Sequence, residues 1–327
     1  MPRRRPIRKP IALRRGDAIG IVAPASPVEP ARLREGIREL EAIGYRLVYD
    51  QQVLARKGFF AGEHADRAQA FLNYLEDPDI RAVLCARGGY GSNYIVDHFS
   101  SRAMRRRLQR LQPKIVMGYS DITSLLLFLH QTLGWVSFQG PMLTKDFSAG
   151  ETGYNRLVME QTLGNFTRGL SFESDAQTWQ SGIAEGRLTG GCFSLVNATL
   201  GTPHEIDAKG AILLLEDVDE KPFRLDRMLF QLRRAGKLRD IKAVVFGEMP
   251  GCGLGASSAD SLHEIIMDAF AGQDIPIVFG LRFGHNTGYC LTLPLGVRVR
   301  LEAGASVKLT LLEPAVRPPN KKPHKRK

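Results

Sequence analysis

Four cysteines in 327 residues are too few and too scattered to staple a fold or hold a metal. Cys85, Cys192, Cys252 and Cys290 form no C-x-x-C pair and sit in apolar or Gly-rich settings, which suits reduced thiols in a cytoplasmic protein. The seven histidines show no H-E-x-x-H or other tight ligand spacing, so no metal site is expected. No apolar run approaches the ~18 residues of a membrane-spanning helix. The N-terminus (Met-Pro-Arg-Arg-Arg-Pro-Ile-Arg-Lys-Pro) is basic but lacks the apolar core of a secretory signal. No G-x-G-x-x-G follows the first strand, which ends in Ala-Pro-Ala-Ser-Pro, so a dinucleotide site is not expected and no cofactor is assigned.

Acids are missing from both ends. Residues 1–15 carry seven basic residues (Arg3, Arg4, Arg5, Arg8, Lys9, Arg14, Arg15) and residues 315–327 carry six (Arg317, Lys321, Lys322, Lys325, Arg326, Lys327), with no acid in either. Removing these 13 from the 45 basic residues leaves 32 against 34 acids, so the net charge of +11 becomes −2. Both ends therefore read as basic flexible tails, and no specific nucleic-acid partner is expected of the folded part. One internal basic run, Arg102 to Arg110, holds five arginines and reads as a solvated helix face.

What is present is an alternation of apolar strands and amphipathic helices. Residues 16–150 give a strand over 18–26 that ends in a loop, strands at 45–49 and 80–86, and a short strand from 115 into the turn at 118–121, with helical periodicity at 30–44 and 65–75. That order predicts a Rossmann-like parallel sheet covered on both faces, with its ligand beyond the carboxyl ends of the strands. The loops at Pro24, Gly88 and Ser120 should share that edge. Residues 151–181 show no long element and read as a linker. Residues 182–314 return to strands, with helical insertions near 224–235 and 258–270. They predict a second, mixed α/β domain with a partial barrel.

Three places carry candidate chemistry. In Gly118-Tyr119-Ser120-Asp121 a strand meets a helix at one hydroxyl, as the nucleophile does in α/β-hydrolases, although the motif is not G-x-S-x-G. The free N–H groups of a helix's first turn favour developing negative charge there; Ser120 and Asp121 are equally good helix caps. Arg87-Gly88-Gly89-Tyr90-Gly91 fits an oxyanion loop, since glycine lets backbone N–H groups approach a reacting carbonyl, and fits a tight turn as well. Glu216 just past a buried strand and His285 in Phe-Gly-His-Asn complete a nucleophile, a carboxylate and a base. An acidic turn and a solvated histidine are the plain alternatives.

Taken in order, these blocks resemble the LD-carboxypeptidases, whose relatives include the microcin-C self-immunity peptidases. The resemblance runs from about Gly16 to Pro314. Its anchors include Gly16–Ser26, Ala86–Gly91, Gly118–Asp121, Gly190-Gly191, Leu214–Pro222, Arg224–Met228, and Gly284-His285 followed by Leu293–Gly296. It implies a Ser-His-Glu serine peptidase: Ser120 as nucleophile, Glu216 as acidic member and His285 as base, with the backbone amides of Gly89 and Asp121 receiving the oxyanion. It also implies a homodimer and a site between two domains. The reaction implied is release of D-alanine from a murein tetrapeptide. Arg87 is the candidate for recognising the substrate's terminal carboxylate. Cys192 stands where many relatives have a polar Asn, so substrate preference is the open point. One rival is hydrolysis of a peptidyl-nucleotide antibiotic. Another is a non-enzymatic ligand-binding protein whose tails contact nucleic acid.

Overall fold

The computed structural model describes residues 6–253 and 258–319. In chain order its first half contains β1 (Ala18–Val22), α1 (Pro30–Ile43), β2 (Arg46–Val48), α2 (His64–Glu76), β3 (Ile80–Cys85), α3 (Ser92–Phe99), α4 (Arg102–Arg110), β4 (Ile115–Gly118), α5 (Thr123–Leu127) and β5 (Ser137–Gln139). Strands β5-β4-β3-β1-β2 are neighbours and all parallel. Helices cover both faces, which is why β1 and β4 are buried at every residue rather than alternately. Helix α1 shows the sequence logic. Pro30 opens it, Leu33, Ile37, Leu40 and Ile43 line its buried stripe, and Gly44 closes it in the left-handed region at φ 107°.

The second half contains α6 (Arg156–Gly164), β6 (Ser171–Ser174), β7 (Gln177–Gln180), β8 (Gly182–Cys192), α7 (Phe193–Ala198), β9 (Ala211–Glu216), α8 (Pro222–Arg234), β10 (Ala243–Gly247), α9 (Ser258–Ala269), β11 (Ile277–Leu281), β12 (Leu293–Leu295), β13 (Arg298–Ala303) and β14 (Val307–Leu311). Eight of these strands form one mixed sheet in the order β6-β14-β13-β8-β9-β10-β11-β7. Its two outermost strands are consecutive in the chain, joined only by Asp175 and Ala176. That connection spans at most roughly 10 Å, so the sheet curls until its edges approach, as a partial barrel does. Along β9 and β10, side chains alternate between two cores. Ile212, Leu214, Ala243 and Val245 join the core shared with the first sheet, while Leu213, Leu215, Val244 and Phe246 pack under α7, α8 and α9.

Three sequence expectations change. Residues 151–181, read as a linker, hold α6 and both edge strands of the second sheet, whose short lengths and half-exposed faces give weak periodicity. The described part of the first tail is packed, not free: Ala12 and Leu13 are buried, and Ile11 bridges Arg317 from the other end of the chain. The segment up to Pro319 likewise buries Ala315 and Val316, while residues 1–5 and 320–327 lie outside the described part. The boundary between the halves is also crossed. Strand β12 leaves the 182–314 segment and pairs antiparallel with β5, so the first sheet has six strands.

Candidate active site

The strands of the first sheet end where the sequence places its loops. β4 runs into Tyr119, which is extended, and then into Ser120, which is held at φ 62°. An L-residue other than Asn or Asp is uncommon in that region and strained there. The chain then makes a tight turn over Ser120–Ile122 and enters α5, whose residues are all buried. Ser120 itself remains partly exposed. The strain aims a hydroxyl outward from an apolar corner, a cost that helix capping alone does not require.

The glycine loop lies against this corner. A Cβ on Gly88 would sit 2.8 Å from Ser120 Cβ and 3.1 Å from its Oγ, so only glycine allows the loop so close. Gly89 is at φ 103°, and a Cβ there would strike Ser26 Oγ at 2.3 Å. Ser26 braces the loop from β1: its Oγ accepts the Tyr90 N–H at 3.0 Å, and its own N–H donates to Gly88 O. Asp121 ties the loop to the corner through its side chain as well. Its buried carboxylate accepts the Ser92 N–H at 2.7 Å, while Ser92 Oγ–H donates to the Asp121 carbonyl. Burial raises the Asp121 pKa, and the amide bonds from Ser92 and Gly91 oppose that shift.

Glu216 and His285 meet from two different strand ends of the second sheet. Glu216 is fully buried at the end of β9. Its Oε2 lies 2.7 Å from His285 Nδ1 and also accepts the His285 backbone N–H at 2.8 Å. One carboxylate oxygen therefore fixes both the ring and the main chain of the histidine. With Nδ1–H donating to Glu216, Nε2 is left as the proton acceptor. Gln139 Nε2 donates to the other oxygen, Oε1, at 3.3 Å. Two glycines make room for the carboxylate: a Cβ on Gly284 would come within 2.3 Å of Glu216 Cδ, and one on Gly247 within 2.7 Å of its Cβ.

The two halves of the site are joined by a few contacts. The Tyr119 ring, one residue before Ser120, meets the His285 ring edge-on at 5.2 Å and 88°. Thr123 Oγ1, three residues after Ser120, accepts the Cys192 N–H at 2.9 Å, and Cys192 is the register partner of Glu216 between β8 and β9. Burial pushes the Cys192 thiol well above its usual range, so it stands there as an uncharged group. Among the described residues no hydrogen bond joins Ser120 to His285; the Glu216–His285 link is formed and the Ser120–His285 link is not.

Arg87 is exposed and donates to Pro27 O at 2.9 Å, on the rim of the same edge. A cavity of about 340 Å³ opens beside the His285 loop, lined in part by Asp175, Glu248, Arg282 and Thr287. The positioning roles of Tyr119, Thr123, Gln139, Ser26, Gly247 and Gly284 are not visible in the sequence. Their roles depend on contacts between residues up to 166 positions apart in the chain, as Tyr119 and His285 are, and no local motif marks them. The described residues contain no group of three His, Cys, Asp or Glu side chains arranged to hold a metal.

Two family models match the chain: an LD-carboxypeptidase N-terminal domain over residues 19–140 and an LD-carboxypeptidase C-terminal domain over residues 185–301. The probable murein peptide carboxypeptidase of Bacillus subtilis (strain 168) is 34% identical over 300 residues, covering 90% of this chain and 91% of that protein. The murein tetrapeptide carboxypeptidase of Pseudomonas aeruginosa is 31% identical over 275 residues, covering 82% of this chain and 88% of that protein. Among solved structures, MccF in complex with glutamyl sulfamoyl guanosine superposes with a TM-score of 0.84 at 22% identity, covering 94% of this chain and 99% of that one. That likeness speaks for the fold.

Proposed function

Because the chain belongs to the LD-carboxypeptidase family, we propose that it is a serine peptidase that hydrolyses the bond to a C-terminal D-amino acid, releasing D-alanine from murein tetrapeptide in the cytoplasm. The observation that carries this reading is the double grip of Glu216 Oε2 on the ring and backbone of His285, next to a serine held at φ 62°. A structural histidine needs no such fixed tautomer, and a helix cap needs no strained hydroxyl.

In this mechanism His285 Nε2 takes the proton of Ser120 Oγ as the oxygen bonds to the scissile carbonyl carbon. The carbonyl oxygen becomes an oxyanion, received by the N–H groups of Gly89 and Asp121. The C–N bond breaks, the imidazolium returns its proton to the departing amine, and D-alanine leaves. Water then attacks the acyl ester with His285 as base, and the proton goes back to Ser120 Oγ. Glu216 stabilises each imidazolium without itself taking the proton. The open Ser120–His285 link is consistent with free enzymes, whose catalytic contacts tighten when substrate binds. Arg87 at the rim would pair with the terminal carboxylate, and a homodimer is the proposed assembly.

The test is incubation with purified murein tetrapeptide and assay of released D-alanine. Wild type should release it. Ser120→Ala should lose roughly 10⁶-fold in turnover with an unchanged circular dichroism spectrum, and near-normal release by that variant would remove the assignment. Arg87→Ala should raise KM with kcat little changed. The fold likeness to MccF keeps one alternative substrate in view, an aminoacyl-nucleotide conjugate, so the same assay is run on an aminoacyl sulfamoyl nucleoside.

A further inference from the structure

Arg8, Arg317 and the arginine helix α4 are far apart in sequence and together in space. Arg8 donates from Nη1 to Gln109 O at 2.7 Å and from Nη2 to Leu111 O at 2.6 Å, at the C-terminal end of α4. Arg317 donates to Gln112 Oε1 at 3.0 Å and exchanges backbone hydrogen bonds with Pro10 and Ala12. Arg8 and Arg317 are close enough that their charges repel and, after burial, lower the Arg8 pKa. Arg8 and Arg317 thus converge on the arginine helix.

Helix α4 is built for charge more than for stability. Its buried contribution to the core is Leu108 alone. Arg102, Arg106 and Arg110 repeat at i, i+4, and Arg105 lies three residues after Arg102, a like-charge spacing that weakens a helix. No acid stands in its first turn, where the helix dipole favours one. Arg107 is matched by Glu76 at 2.5 Å. Among the described residues no ion pair joins Arg102, Arg105, Arg106 or Arg110 to a carboxylate.

The place of this cluster in the fold also matters. Helix α4 feeds the N-terminal end of β4, and Arg8 pairs with the chain just before β5. The cluster is therefore on the opposite edge of the first sheet from Ser120. A large anion bound there leaves the candidate catalytic cleft open.

We infer that Arg8, Arg102, Arg105, Arg106, Arg110 and Arg317 form a docking surface for the phosphodiester backbone of a nucleic acid, bound without sequence preference. Phosphodiesters also cover anionic membranes. Nucleic acid fits better because the apolar side of α4, Leu108 and Met104, faces the protein core and offers nothing to insert among acyl chains. The four α4 side chains are arginines, whose planar forks pair with phosphate oxygens in bidentate fashion, while Arg8 and Arg317, held by Gln109, Leu111 and Gln112, add positive charge beside them. The inference is independent of the peptidase reading.

The test is fluorescence anisotropy of the full chain with a labelled random-sequence 20-base-pair duplex across a salt series. The expected result is binding whose log K falls with log salt at a slope of about −5, for roughly six phosphates neutralised. The variant Arg102→Gln/Arg105→Gln/Arg106→Gln/Arg110→Gln keeps helix propensity and should shallow that slope by roughly 3, with thermal unfolding unchanged or raised. A second variant, Arg102→Gln/Arg106→Gln, guards against misfolding of the first and should give about half the effect. Absence of duplex binding at low salt overturns the inference. So does a quadruple variant that binds like wild type, because the tails alone would then be responsible. Co-sedimentation with phosphatidylglycerol vesicles in preference to the duplex overturns the nucleic-acid assignment.

Discussion

Replacing Gly284 by alanine probes the contact that holds the candidate acid–base pair. Gly284 is at φ 65°, and an added Cβ would lie 2.3 Å from Glu216 Cδ, about 1 Å inside ordinary contact. Two costs are mixed in that change, left-handed backbone strain and overlap with the carboxylate. Gly210 separates them: it sits at φ 67°, and nothing lies within 4 Å of its added Cβ. An L-residue in the left-handed region costs about 1–2 kcal/mol, and a less flexible unfolded chain returns about 0.4–1 kcal/mol. Gly210→Ala should therefore destabilise by on the order of 1 kcal/mol in urea unfolding, with D-alanine release unchanged. Gly284→Ala adds overpacking of about 1–3 kcal/mol. It also displaces Glu216 or the His285 backbone bonded to it. A misplacement near 1 Å typically costs on the order of 10²-fold in turnover. Equal stability losses in the two variants, with full activity in Gly284→Ala, would refute the view that this close approach positions the pair.

Other outcomes follow from the same geometry. Ser120→Gly should be inactive yet more stable than Ser120→Ala by about 1 kcal/mol, because glycine relieves φ 62°; equal urea midpoints would count against stored strain. Glu216→Gln should keep the fold and lower kcat by roughly 10³–10⁴-fold, measured by D-alanine release. Asp146 lies below the Tyr119 hydroxyl at 3.4 Å and accepts the Met142 N–H at 2.8 Å. Burial pushes its pKa up to about 6. The folded protein then holds a proton there that the unfolded chain, with a pKa of roughly 3.9, releases earlier. Stability from this group is complete below about pH 4 and falls by on the order of 2–3 kcal/mol as the pH rises to about 6. Asp146→Asn should flatten that interval of the stability–pH curve, and an unchanged slope would assign it to other groups.

Much of the first sheet was legible because its signals are local. Apolar runs starting at 18, 80 and 115, the stripe of α1 and the stop at Gly44 are all local signals, and the structure starts its strands at the same three residues. The 151–181 segment was not legible. Its strands β6 and β7 are short edges with mixed exposure, and they gain strand character from pairing with β14 and β11, about 100 residues away or more. The N-terminal basic segment misled for the opposite reason. Its charge signals a solvated tail, but Arg8 pairs with Trp135, Ile11 and Ala12 with Arg317, and Leu13 with Leu163, contacts that no local pattern announces.

By itself the sequence determined the residue types of the candidate site, their order along the chain and the family they resemble, because each block is a short strand-end motif readable in place. Tertiary structure decided how those blocks meet. It brought Glu216 and His285 to 2.7 Å across two strand ends and set Gly88 against Ser120. It buried Asp121 between the glycine loop and the corner, and gathered Arg8, α4 and Arg317 at the far edge. The physical reason is that hydrogen bonds and van der Waals contacts act over a few ångströms, while the residues that make them stand tens to hundreds of positions apart until the two sheets pack.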